Sequence, residues 1–200
     1  VSVSGGWLGR GAALPARSRL FTLVVNAGPA WTFPSFARNS WLWLHYLPAR
    51  RPAALRGWRV LANSTQTAAA AAPWGIKTDI LPPPLRSSRI PHGPKERLIA
   101  GAGRLGDGKG ELELLGLFAA LRRAGRLPGW SFIWAAPHGP AAAVRAFHRA
   151  AQALPARLLL APPRLRYESL LGRAAVFWGG LGPETFAVSE AEAAAAGCAL

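Results

Sequence analysis

The segment Ile99–Gly110, IAGAGRLGDGKG, sets five glycines and two cations, Arg104 and Lys109, between an apolar run and an amphipathic one. Backbone amides at the start of a helix that follows a strand bind anions, so the chemistry on offer is a grip on phosphate. Three templates partly fit. Gly101-x-Gly103-x-x-Gly106 has the dinucleotide spacing, yet the end of the next predicted strand (Trp134, Ala135, Ala136) carries no acid to hold a ribose. Gly103-x4-Gly108-Lys109 begins as a P-loop, but Gly110 stands where a Ser or Thr must meet Mg²⁺, and neither Asp79 nor Asp107 ends an apolar strand. The third template is Gly103-Arg104-Leu105 with Lys109 five residues after the arginine, an Arg fork and a Lys point charge presented to a diphosphate. The same pair also reads as two more solvated cations in an Arg-rich chain.

Acids are scarce, nine in all, yet three of them (Glu184, Glu190, Glu192) crowd into GPETFAVSEAEAAAAG. Glu184 falls on the turn leaving a predicted strand and Glu192 within the following helix, which Gly197 ends. Carboxylates so placed can accept hydrogen bonds from sugar and ribose hydroxyls. They can equally be acids that favour the positive end of a helix.

The elements that must position these residues alternate, short β-like runs with helical ones, which argues for βαβ units and parallel sheets. Expected strands are Leu20–Val25, Trp41–Leu44, Trp58–Ala62, Arg97–Ala102, Ser131–Ala135, Arg157–Ala161 and Ala174–Trp178. Expected helices are Thr65–Ala72, capped by Asn63-Ser64 and stopped by Pro73, then Glu111–Arg123 and Ala141–Leu154. The second carries Leu112, Leu115, Phe118 and Leu121 on one stripe, the third Val144, Phe147, Ala151 and Leu154. From about Leu81 to Pro94 the pattern fails in LPPPLRSSRIPHGP, which reads as a linker. The expected organisation is 1–82, the end of one Rossmann-like domain; 83–96, the linker; and 97–200, most of a second such domain, cut short.

Composition narrows the classes. The net charge of +15 would point to a polyanion partner, but 40 Ala, 22 Gly, 21 Arg and 18 Pro are types read from GC-rich codons, so a high-GC genome accounts for much of the arginine. One cysteine, Cys198, excludes a disulfide scaffold, and four scattered histidines show no metal-ligand spacing. No apolar run reaches the roughly 18 residues of a membrane span. With no Met and an end at Gly-Cys-Ala-Leu, directly after an Ala-rich helix, the chain reads as a fragment cut at both ends.

GAGRLGDGKG followed by PETFAVSEAEAAAAGC resembles the family 4 glycosyltransferases of the two-domain B fold (GT-B), whose signature is Gly-Arg-Leu with a Lys five after the Arg, then Glu-x-Phe-Gly-x4-Glu-Ala and a Gly. WLWLHYLP, VLANSTQT, PWGI and LPPPL resemble its first half, closest to the α-1,2-mannosyltransferases of lipid-linked oligosaccharides. The resemblance runs from about Leu20 to Leu200. It implies an α/β GT-B fold and a retaining, metal-independent hexosyltransferase that uses a nucleotide diphosphate sugar as co-substrate, needs no cofactor, and acts on a glycan or lipid-linked acceptor. By resemblance Arg104 and Lys109 bind the diphosphate, Glu192 the ribose, and Glu184 and His45 stand at the transferred sugar, with Phe186 and Ala187 beside it. Domain closure about the linker would exclude water. The chain departs at Ala187, where the family has Gly, and at Ala194, where it has Met. A cytoplasmic location, peripheral on the inner membrane face, and no nucleic-acid partner are expected.

Two other readings stand beside it. Trp41, Trp43 and Trp58 interleaved with Arg50, Arg51, Arg56 and Arg59 suit a single-stranded nucleic-acid groove or membrane-surface patch, unless the tryptophans are core. Ala187 suits a degenerate member that binds nucleotide without turnover.

Overall fold

The computed structural model describes residues 23–26, 39–44, 55, 57–85, 92–106, 108–181 and 187–200. The chain divides into two compact units, Val1–Pro83 and Pro84–Leu200. In the first, β1 (Leu23–Asn26), β2 (Asn39–Leu44), β3 (Arg59–Ala62) and β4 (Thr78–Ile80) form a sheet in that order, with every neighbouring pair parallel. Helix α1 (Thr65–Ala71) begins where Ser64 Oγ accepts from the Thr67 amide. Pro73 then tightens the chain into a 3-10 turn, and Gly75 leaves it at φ 70°. Strand β4 was not expected: Thr-Asp-Ile is too short and too polar to alternate.

Period two decides what β2 buries. Ser40, Leu42 and Leu44 point into the core, while Trp41 and Trp43 are half-buried on the other face. Of Trp41, Trp43 and Trp58, for which a core position was the alternative to a binding patch, only Trp58 joins this cluster. The Trp41 ring instead carries the Arg59 guanidinium 5.3 Å from its centroid, and Trp43 Nε1 donates to the Leu81 carbonyl at 3.0 Å.

The second unit contains β5 (Glu96–Ala102), α2 (Glu111–Arg123), β6 (Ser131–Ala136), α3 (Ala141–Ala151), β7 (Ala156–Leu160), α4 (Arg164–Arg173), β8 (Ala174–Trp178) and α5 (Val188–Ala195). Its parallel sheet runs β7-β6-β5-β8, so the chain winds outward from β5 in one direction and then returns to pair β8 on the other side. Helices cover both faces. Leu98 and Ala100 of β5 pack into a cluster with Phe177, Leu171 and Ala193, and Ile99 between them faces Phe118, Phe132, Trp134 and Phe147.

Two helices differ from expectation. α3 stops at Ala151, ahead of Pro155, which disfavours helix at the residue before it. α2 buries Glu111, Leu114, Leu115 and Phe118 while Leu112 is exposed, so its inward stripe is rotated one position toward Leu114. The buried carboxylate of Glu111 has a use at the neighbouring turn. Beyond α5, Ala199 forms an isolated parallel bridge with Val176 of β8.

Candidate functional site

In a doubly wound sheet the crevice outside the carboxyl ends of the strands, where strand order reverses, is where ligands settle. Here that place is occupied by a cleft of about 540 Å³, all of whose described lining belongs to the second unit. Its floor is Ala102 at the end of β5 and Ala135 at the end of β6. One wall is the Gly-rich turn with Gly103, Arg104 and Lys109. Facing it are Pro162, Arg164 and Tyr167 around the start of α4, and Ala187, Val188, Ser189 and Glu192 at the start of α5.

The turn is held from beneath. Gly103 donates to the Ala135 carbonyl at 3.1 Å, and the fully buried Trp134 returns a bond from its indole N–H to the Gly103 carbonyl, also 3.1 Å. A side chain at Gly101 would force a shift, since its Cβ would stand 2.5 Å from Trp134 Cε3, and one at Gly103 would be tight, with its Cβ 3.2 Å from Lys109 Cγ. Gly106, Gly108 and Gly110 then all take left-handed backbone, at φ 77°, 68° and 78°. Glu111 Oε1 accepts from the Gly106 amide at 2.7 Å. The helix therefore supplies its own anion to the turn, and the cations of the cleft are side chains. Because α2 opens only at Glu111, neither Gly106 nor Lys109 stands at the helix start, as the dinucleotide and P-loop templates require. The third template, Arg104 with Lys109, is the one whose residues line the cleft.

Of the residues expected to act, Arg104, Lys109, Ala187 and Glu192 come together here. His45, Glu184 and Phe186 lie outside the described residues. Among the described residues no three His, Cys, Asp or Glu side chains gather as metal ligands would, and no helix is long and apolar enough to cross a membrane.

Two residues of the cleft were not anticipated. Arg164 Nη2 donates to Glu192 Oε1 at 2.7 Å and its Nε to Glu168 Oε1 at 2.7 Å. Glu192 and Glu168 are 6% and 2% exposed, and their hydrogen bonds push the Arg164 pKa above the ordinary arginine value. Only one signal foreshadows the pair, an Arg-x3-Glu spacing directly after Pro162-Pro163, where prolines suit a helix start. Tyr167 lies one turn along α4, its ring 5.5 Å beneath the Arg164 guanidinium. Its hydroxyl is buried with no hydrogen-bond partner among the described residues. Burial, reinforced by the Glu192 carboxylate, raises its pKa well above the usual tyrosine range. A buried hydroxyl without a partner is a cost to the unliganded protein. Tyr167→Phe is therefore expected to leave stability unchanged or to raise it by up to about 1 kcal/mol in thermal denaturation. A clear loss would mean that the hydroxyl is satisfied.

No protein-family model matches the chain, and no curated protein matches it. Among solved structures it is similar to an α,α-trehalose-phosphate synthase (UDP-forming) from Burkholderia vietnamiensis, with a TM-score of 0.56 and 15% identity. That likeness covers 79% of this chain and 49% of the other, so the chain spans about half of that structure's length. It bears out the expected fold: α/β, with Rossmann-like units built on parallel sheets, of the GT-B class.

Proposed function

We propose that the protein is a retaining glycosyltransferase that moves a hexose from a nucleotide diphosphate sugar to a hydroxyl on a glycan or lipid-linked acceptor. The observation that carries this reading is the convergence of Arg104, Lys109 and Glu192 on one cleft at the switch point of the sheet. Its volume of about 540 Å³ lies within the range of small-molecule sites, roughly 300–1,000 Å³. The likeness to a UDP-forming trehalose-phosphate synthase supports the same class of donor. The retaining course, the hexose and the lipid-linked acceptor rest on the family resemblance of the motifs, as does peripheral attachment to a membrane.

In this reading Arg104 and Lys109 neutralise the charge that develops on the departing diphosphate, an electrostatic task that two fixed cations perform best with little water around them. Glu192 accepts from the ribose hydroxyls. Glu184 orients the transferred sugar beside Phe186 and Ala187, His45 of the first unit serves the scissile bond, and residues 83–96 link the units. No further cofactor has a part in these roles.

A thermal-shift panel of UDP-, GDP- and ADP-sugars tests the proposal. The right donor at 100 times its Kd is expected to stabilise the protein by about 2.7 kcal/mol, with weaker shifts from its sugar epimers. No shift from any nucleotide sugar, together with a salt-sensitive shift of a single-stranded oligonucleotide, would overturn it in favour of a basic binding module.

A further inference from the structure

We propose that Arg164 is a positioning residue that fixes Glu192 in the cleft and thereby makes the site select ribonucleotides over deoxyribonucleotides. This rests on the nucleotide reading of the cleft given above. It starts from a geometric problem at the junction of α4 and α5. Two acidic side chains, Glu168 and Glu192, are almost wholly withdrawn from solvent on neighbouring helices, and buried acids of this kind call for a cation as partner. Arg164 is that cation. Its fork reaches Glu168 with Nε and Glu192 with Nη2, both at 2.7 Å, while its own side chain remains 45% exposed along the cleft wall.

Three features hold the fork in place. Tyr167 lies beneath the guanidinium at 5.5 Å, limiting the plane in which it can turn. Glu168 anchors Nε from the next turn of the same helix. The chain enters α4 through Ala161, the one non-glycine with positive φ among the described residues, at 47°. Its amide donates to the Ala136 carbonyl at 2.7 Å, so a strained residue is tied to β6 just before Pro162-Pro163 sets the direction of the helix. Strain of this kind persists where its surroundings over-determine it, and here it aims the first residue of α4 across the cleft at α5.

The consequence is a carboxyl group of fixed direction. Arg164 donates to Oε1 of Glu192 and so holds the group in place to accept from neighbouring hydroxyls on a ligand. Charge-assisted hydrogen bonds of this kind correspond to about 10- to 100-fold in affinity. A lysine cannot replace the fork, because an ammonium is a point charge on a flexible stem without the guanidinium's planar, two-sided geometry.

The test is a ratio of affinities in the full chain, measured calorimetrically with UDP, GDP and ADP against their 2′-deoxy counterparts, and with inorganic pyrophosphate alone. The unmodified protein is expected to prefer the ribonucleotide by about 10- to 100-fold. In Arg164→Lys and Arg164→Met the preference should fall to within about threefold, while pyrophosphate binding, which belongs to Arg104 and Lys109, changes little. Should Arg164→Met fail to fold, Arg164→Lys carries the comparison alone, because it keeps a cation beside both glutamates while removing the fork. A folded variant that keeps the full ribose preference overturns the proposal, and so does an unmodified protein that binds both nucleotide series equally. Failure of the unmodified protein to bind any nucleotide or pyrophosphate overturns instead the nucleotide reading itself.

Discussion

Trp134→Ala is expected to destabilise the protein by about 3–5 kcal/mol, the range for truncating a fully buried aromatic side chain. Trp134 has no exposed surface and sits within a cluster that includes Phe118, Phe132 and Phe147, with the Phe132 ring centroid 6.5 Å away. Domains of this size have only about 5–15 kcal/mol in hand, so much of the margin would go. Denaturant unfolding followed by intrinsic fluorescence gives the number. Trp134→Phe separates two contributions. It keeps most of the volume but loses the indole bond to the Gly103 carbonyl, so a loss nearer 1 kcal/mol is expected from the missing bond, beyond whatever the smaller ring leaves unfilled. Because that bond holds the turn carrying Arg104, the phenylalanine variant should also bind anions less tightly. A variant that loses stability while pyrophosphate affinity stays intact would show that the core and the turn are independent.

Lys109→Met should lower the affinity for nucleoside diphosphates by about 10- to 100-fold, and for inorganic pyrophosphate in parallel. The substitution keeps the stem that packs beside Gly103 and Gly180 and leaves the Lys109 carbonyl free to accept from the Leu181 amide at 3.1 Å. What it removes is the ammonium. Isothermal titration together with thermal unfolding distinguishes the outcomes. Unchanged binding would mean that Lys109 is a solvated cation with no part in the site, and the diphosphate assignment would fail for Arg104 as well.

Much of the second unit is readable from hydropathy alone. A strand buried on both faces, such as β5, must be apolar at consecutive positions, and Arg97 to Ala102 is nearly so. The Gly-rich turn is readable too, because left-handed backbone at Gly106, Gly108 and Gly110 leaves little choice of residue. Arg164 was hidden for the opposite reason. In a chain with 21 arginines, a single one marks nothing until its partners are known, and its partner Glu192 lies 28 residues away on another helix. α4 itself, RLRYESLLGR, mixes charge and apolar residues without a clean stripe and follows two prolines. β4 escaped notice because three residues cannot show a period. The inward rotation of α2 toward Glu111 could not be foreseen either, since a buried acid makes sense only once the Gly106 amide stands beside it.

The backbone beyond α5 bears on how copies of this chain behave in a crowded solution. β8 stands at one end of its sheet, where a row of unpaired amides and carbonyls would invite a strand from another molecule. Ala199 takes that place, receiving a bond from the Phe177 amide at 2.8 Å and donating to the Ala175 carbonyl at 2.9 Å. These two bonds interrupt the row at its middle, so the molecule's own chain leaves less of the β8 edge open to a strand from another copy.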